Sequence, residues 1–143
     1  MNIAFENLSF DPNNVKWHYN VSIWEHPSNI LPLRGYWVYN NASTPIFQKL
    51  NYKDMAGPYV PPSMTLKSGW NQIGHTSTKY MPVSSALVSI EGKYSHLLTY
   101  SPGEGWKMYI VGNPALQQFN FFEPGKGYWI FMTQDATYAA VDI

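Results

Sequence analysis

The side chains best suited to chemistry in this sequence are tryptophans and tyrosines set beside short polar residues. Trp24 precedes the loop Glu25-His26-Pro27, and Trp70 sits inside Gly69-Trp70-Asn71. Trp17, Trp106 and Tyr109 lie in runs rich in Tyr and Lys. The face of an aromatic ring is electron-rich, and the C–H face of a sugar ring is apolar and slightly positive, so the two stack. A sugar site also needs a few short polar groups that fix orientation. The pattern therefore points to a neutral polysaccharide as partner. Trp24 is the leading platform, Trp17, Trp106 and Tyr109 are secondary ones, and Trp70 is a further candidate. His26 and nearby asparagines would supply hydrogen bonds. The competing explanation for each ring is packing, because β-rich domains bury many aromatics.

Other chemistries find less support. The carboxylates Glu6, Asp11, Glu25, Asp54, Glu91, Glu104, Glu123, Asp135 and Asp142 mostly neighbour turn residues. A glycosidase needs two carboxylates flanking a cleft, and no G-x-S-x-G elbow is present. An enzyme is not expected. His18, His26, His75 and His96 form no HxxxH or HxH pair, so no metal site is expected. With no cysteine there are no disulfides and no thiolate chemistry. Pro124-Gly125-Lys126-Gly127 lacks the Ser or Thr and the strand-to-helix context of a phosphate loop. No cofactor is expected.

Charge narrows the partner class further. Nine basic and nine acidic residues cancel, and only 13% of the chain is charged. Nucleic-acid binding depends on clustered Lys and Arg that release counterions; no such cluster occurs. No apolar run approaches the 18 residues of a membrane-spanning helix. The start, Met1-Asn2-Ile3-Ala4-Phe5-Glu6, has neither the basic region nor the apolar stretch of a signal peptide. Three Asn-x-Ser sequons, at Asn7, Asn20 and Asn41, would suit an exported protein in a glycosylating host.

The elements that must position these residues are organised by an internal repeat. Leu31-Pro32-Leu33-Arg34-Gly35-Tyr36-Trp37-Val38-Tyr39 returns as Glu123-Pro124-Gly125-Lys126-Gly127-Tyr128-Trp129-Ile130-Phe131. Leu8-Ser9-Phe10-Asp11-Pro12, followed by Trp17 and Tyr19, returns as Leu98-Thr99-Tyr100-Ser101-Pro102, followed by Trp106 and Tyr109. Repeated aromatics read as framework, and unmatched ones, Trp24 and Trp70, as better candidates for function. Frequent Pro and Gly between β-branched and aromatic runs predict strands. The expected fold is mainly β: one domain over 1–143, an antiparallel β-sandwich of two unequal pseudo-repeats, 3–50 and 65–141, joined by a Pro-rich linker at 51–64.

Strands are expected at 8–11, 15–24, 35–40 and 44–50 in the first copy. The second copy should hold strands at 66–74, 94–100, 106–111, 127–133 and 137–141, the last closing the sheet. One short helix is expected at 81–91. Its apolar residues Val83, Ala86, Leu87 and Ile90 share a face, Pro82 suits the start, and Gly92 suits a left-handed stop. In Gly127-Tyr128-Trp129-Ile130-Phe131-Met132 both alternating faces are apolar, which predicts a central strand covered on both sides.

Gly69-Trp70-Asn71, the short helix, Gly105-Trp106-Lys107, Pro124-Gly125-Lys126-Gly127-Tyr128-Trp129-Ile130 and Asp135-Ala136-Thr137 together resemble a β-rich accessory module of secreted and cell-surface proteins from archaea and thermophilic bacteria. The first copy departs from the pattern where Leu33 replaces Gly125. The resemblance implies an extracellular, non-catalytic unit within a longer protein, attached to a catalytic or surface domain. A structural spacer or interaction domain is the alternative to glycan binding.

Overall fold

The computed structural model describes residues 2–4, 15–19, 23–25, 31–38, 51–53 and 60–141. It is mainly β with antiparallel pairing throughout. The strands expected at 8–11 and 44–50, and the sequons at Asn7, Asn20 and Asn41, lie outside the described residues.

At the centre is a four-stranded sheet. Its strands are β7 (Gly69–Gly74), β9 (Tyr94–Ser101), β10 (Gly105–Ile110) and β12 (Gly127–Met132), in the order β10-β9-β12-β7. The β9–β10 hairpin turns where Ser101-Pro102-Gly103-Glu104 supplies turn chemistry, with Gly103 and Gly105 at positive φ. β12 is central, as its two apolar faces predict. Tyr128, Ile130 and Met132 point into the core with Ile73, Leu97 and Leu66, all nearly or fully buried. Removing each such side chain from water contributes roughly 1.5–3 kcal/mol. Trp129 and Phe131 take the opposite face.

The core is closed by the remaining elements. β8 (Met81–Pro82) pairs with β11 (Phe121–Phe122), and β6 (Ser63–Leu66) pairs with β13 (Ala136–Ala139). The expected helix is shorter than its periodicity predicts. One α-helical turn, Val83–Ala86, is followed by a 3₁₀ turn, Val88–Ile90. Val83, Ala86, Leu87 and Ile90 are all buried, so the facing was legible. A segment this short has little intrinsic helicity. Its shape follows from seating those four side chains, and Gly92 turns at φ +73.

Three further expectations are corrected. Residues 15–24 are not one strand but parts of two: β2 (Val15–Tyr19) and β3 (Ile23–Glu25) pair with each other, Trp17 opposite Glu25 and His18 opposite Trp24. Residues 66–74 are split, because Lys67 and Ser68 make the turn between β6 and β7. Residues 137–141 do not close the main sheet, since β13 pairs with β6 instead. The stretch expected as linker carries strand at both its ends, β5 (Asn51–Lys53) against β1 (Asn2–Ala4), and β6.

Residues 33–35 dock along the outer edge of β7. Arg34 bridges Ile73, the Gly74 N–H donates to the Leu33 carbonyl at 2.8 Å, and β4 (Trp37–Val38) continues onto β2. This approach requires glycine. A Cβ on Gly74 would lie 2.6 Å from the Arg34 carbonyl oxygen, and one on Gly35 would lie 2.6 Å from that of Ile73. Gly127, paired with Gly74, faces the Cα of Gly35.

Two turns that precede the repeated Gly-Tyr-Trp strands share their geometry. Gly125 has φ +75, and Leu33, in the matching position, has φ +65. The Tyr128 hydroxyl accepts from the Glu123 N–H at 2.8 Å, and the Tyr36 hydroxyl accepts from the Leu31 N–H at 2.9 Å. The departure at Leu33 therefore leaves the backbone path intact. A left-handed non-glycine residue costs roughly 1–2 kcal/mol. Burial of the Leu33 side chain in the core offsets that cost.

Candidate functional site

The face of the central sheet turned away from the core is a field of aromatic rings. Strand alternation dictates its membership. Register places Trp106 beside Tyr100, Leu98 beside Trp129, His96 beside Phe131, and Phe131 beside Trp70. Trp24 from β3 and Trp37 from β4 are laid over this face from the first copy.

The rings form two linked groups. In one, the Trp24 ring meets Trp129 edge-on at 6.2 Å, and Trp70 meets Trp129, Phe131 and His96 edge-on at 6.4, 5.3 and 4.9 Å. His96 stacks flat on Phe131 at 4.9 Å, with its Nδ1 2.8 Å from the Ser95 hydroxyl. In the other group Trp37, Tyr100 and Trp106 form a triangle with centroid separations of 5.4 to 5.8 Å. Each aromatic pair of this kind contributes about 0.5–1.5 kcal/mol beyond area burial.

Between the groups lies a small open pocket of about 90 Å³, lined by Tyr36, Trp37, Gln72, Tyr100, Gly127 and Trp129. None of these side chains is charged. Gln72, one of the lining residues, is buried. Burial raises the Tyr36 hydroxyl above its ordinary pKa, so it remains neutral across physiological pH. Trp24 and Trp106 flank the pocket and stay open to solvent, with 54% and 52% of their surface exposed. Tyr100 is also exposed.

The sequence candidates are distributed as follows. Trp24, Trp70 and Trp106 all belong to the aromatic face, Trp24 and Trp70 being joined through Trp129. Tyr109 does not belong to it. It points to the other side of β10, packing on Phe119 at 5.8 Å against the core, because residues 106 and 109 of a strand face opposite ways. Trp17 is placed by its backbone alone; its side chain and the whole of His26 lie outside the described residues. Trp37, Trp129, Tyr100, Phe131, His96 and Gln72 belong to the face and were not among the candidates. Alternation along β12 and β9 was the signal that could have found them.

The asparagine of Gly69-Trp70-Asn71 has a different job. Asn71 is fully buried, and its amide closes the turn between β6 and β7. Its Nδ2 donates to the carbonyls of Lys67 and Gly69 at 2.7 and 3.0 Å, and its Oδ1 accepts from the Lys67 N–H. The same turn is fastened by Asp135, which accepts from the Ser68 N–H at 2.9 Å and pairs with the Lys67 ammonium at 2.7 Å. These hydrogen bonds hold Trp70 at the head of β7.

His75 is buried; its Nε2 donates to the Lys79 carbonyl at 2.9 Å, and its ring meets Phe122 edge-on. Among the described residues no group of three His, Asp or Glu side chains converges to hold a metal ion, and no helix is long and apolar enough to cross a membrane. Comparison with protein-family models, curated proteins and solved structures gives no match to this chain.

Proposed function

We propose that the protein is a non-catalytic binding module that grips a neutral polysaccharide through the aromatic face, as part of a larger exported or cell-surface protein. The observation that carries this is the pair of solvent-open tryptophans, Trp24 and Trp106, flanking an uncharged aromatic pocket. Rings left open on a sheet face are the surface on which a sugar C–H face gains most. The absence of charge in the pocket lining fits a neutral ligand over an anionic one. On the same reading the chain is built from two unequal pseudo-repeats of one antiparallel sandwich. The matched turns at Leu33 and Gly125 and the matched tyrosine hydroxyls support that.

A second reading is favoured by one observation. Trp24 and Trp37 from the first copy pack edge-on against rings of the second, as they would if the aromatic face served to join the two halves of a spacer. Pull-down on swollen cellulose, xylan, mannan and swollen chitin separates the two. Binding predicts retention on at least one polymer, weakened at least tenfold by Trp24→Ala. A folded protein retained on none of them contradicts it and leaves the spacer.

A further inference from the structure

We infer that the site takes a single solvated glycan chain, with one sugar entering the pocket, and not the flat surface of a crystalline polysaccharide. This rests on the carbohydrate reading above and goes on to name the form of the ligand. A crystal face presents many sugar rings in one plane, so a protein that binds it needs several exposed rings in one plane. The rings here are inclined to one another. Trp37 and Tyr100 differ by 45°, Tyr100 and Trp106 by 58°, Trp37 and Trp106 by 65°, and Trp24 and Trp129 by 74°. Among the described residues the one parallel pair on this face, His96 and Phe131 at 9°, covers itself, each ring occupying one side of the other.

Inclined rings suit a chain whose sugars can turn relative to one another. The pocket of about 90 Å³ has room for a few water-sized groups, enough for a hydroxymethyl arm or the hydroxyl edge of one ring. Its lining includes the buried Gln72 and the tyrosines Tyr36 and Tyr100, residue types whose amide and hydroxyl groups exchange hydrogen bonds with hydroxyls. The neighbouring sugars would then lie against Trp24 on one side and Trp106 on the other.

The test compares two physical forms of the same polymer. Calorimetry with soluble cello-, xylo-, manno- and chitohexaose is run beside depletion on swollen and microcrystalline cellulose and on swollen and crystalline chitin. The expected result is binding to a soluble hexaose, with retention on the swollen form when its polymer is cellulose or chitin, and little or none on a crystalline form. Trp37→Ala should lower hexaose affinity at least tenfold; Trp106→Ala, at an exposed ring whose loss spares the core, should do the same in a protein that remains folded, its melting temperature lowered only by the lost contacts with Trp37 and Tyr100. Retention on a crystalline form equal to or above that on its swollen form overturns the inference and leaves the carbohydrate reading standing. Binding to none of the probes overturns both.

Discussion

At the scale of single residues, Leu33 and Gly125 occupy matching turns with the same left-handed backbone and different chemistry. Gly125 has open space around its Cα, so Gly125→Ala should cost only backbone strain, about 1–2 kcal/mol. Leu33→Gly relieves the same strain but empties a buried site, where loss of a leucine costs roughly 2–5 kcal/mol. The net expectation is destabilisation, read as a lower denaturant midpoint, despite the gain in backbone freedom. A stabilised Leu33→Gly protein would show that the side chain contributes nothing to the core. Asp135 gives a pH dependence. The Lys67 side chain and the Ser68 N–H hold its pKa below the usual carboxylate value. A depressed folded-state pKa contributes stability that is present above the unfolded pKa and lost as pH falls through the folded one. Stability should therefore decline on acidification below about pH 4, and Asp135→Asn should flatten that part of the profile while leaving the rest unchanged.

At the scale of elements, the docking of residues 33–35 on β7 depends on the absence of side chains at Gly35 and Gly74. Gly74→Ala places a methyl against the Arg34 carbonyl, a backbone group that cannot swing away. Overpacking of this kind costs roughly 1–3 kcal/mol. It should also loosen Trp37 over the pocket, seen as a red shift of tryptophan emission; an unchanged spectrum and midpoint would mean the segment is held elsewhere. This element also shows what the sequence could and could not tell. The strands at 94–101, 105–110 and 127–132 were legible, because each is long and rich in β-formers, with Pro102 and Gly105 marking the hairpin and Gly127 opening the last. The breaks at Lys67-Ser68 and between Tyr19 and Ile23 were not: Gly69, which turns at φ +97, reads in the sequence as a residue inside one strand, and no Gly or Pro lies between Tyr19 and Ile23. The Lys67-Ser68 turn is closed by two side chains, Asn71 four residues on and the distant Asp135.

At the scale of the whole molecule, the aromatic face gathers rings from β3 and β4 and from the central sheet. Trp24 and Trp70 were legible as its members because they are unmatched in the repeat. Trp129 and Trp37 were set aside as framework because they are matched, and that inference treated a strand as having one side. Tyr128 and its neighbours at alternate positions do build the core, while Trp129, one residue on, faces the site. Tyr109 was misplaced for the converse reason: proximity to Trp106 in sequence is not proximity on a sheet. What the fold adds is that the packing of β3 and β4 on the central sheet leaves exposed rings and an uncharged pocket beside them.

The most direct measurement is a glycan-array screen of the intact chain, with Trp106→Ala alongside. The expected result is selective binding to a neutral polysaccharide family, lost in the variant while it remains folded. Binding to acidic glycans alone, or to none with the protein folded, would contradict it.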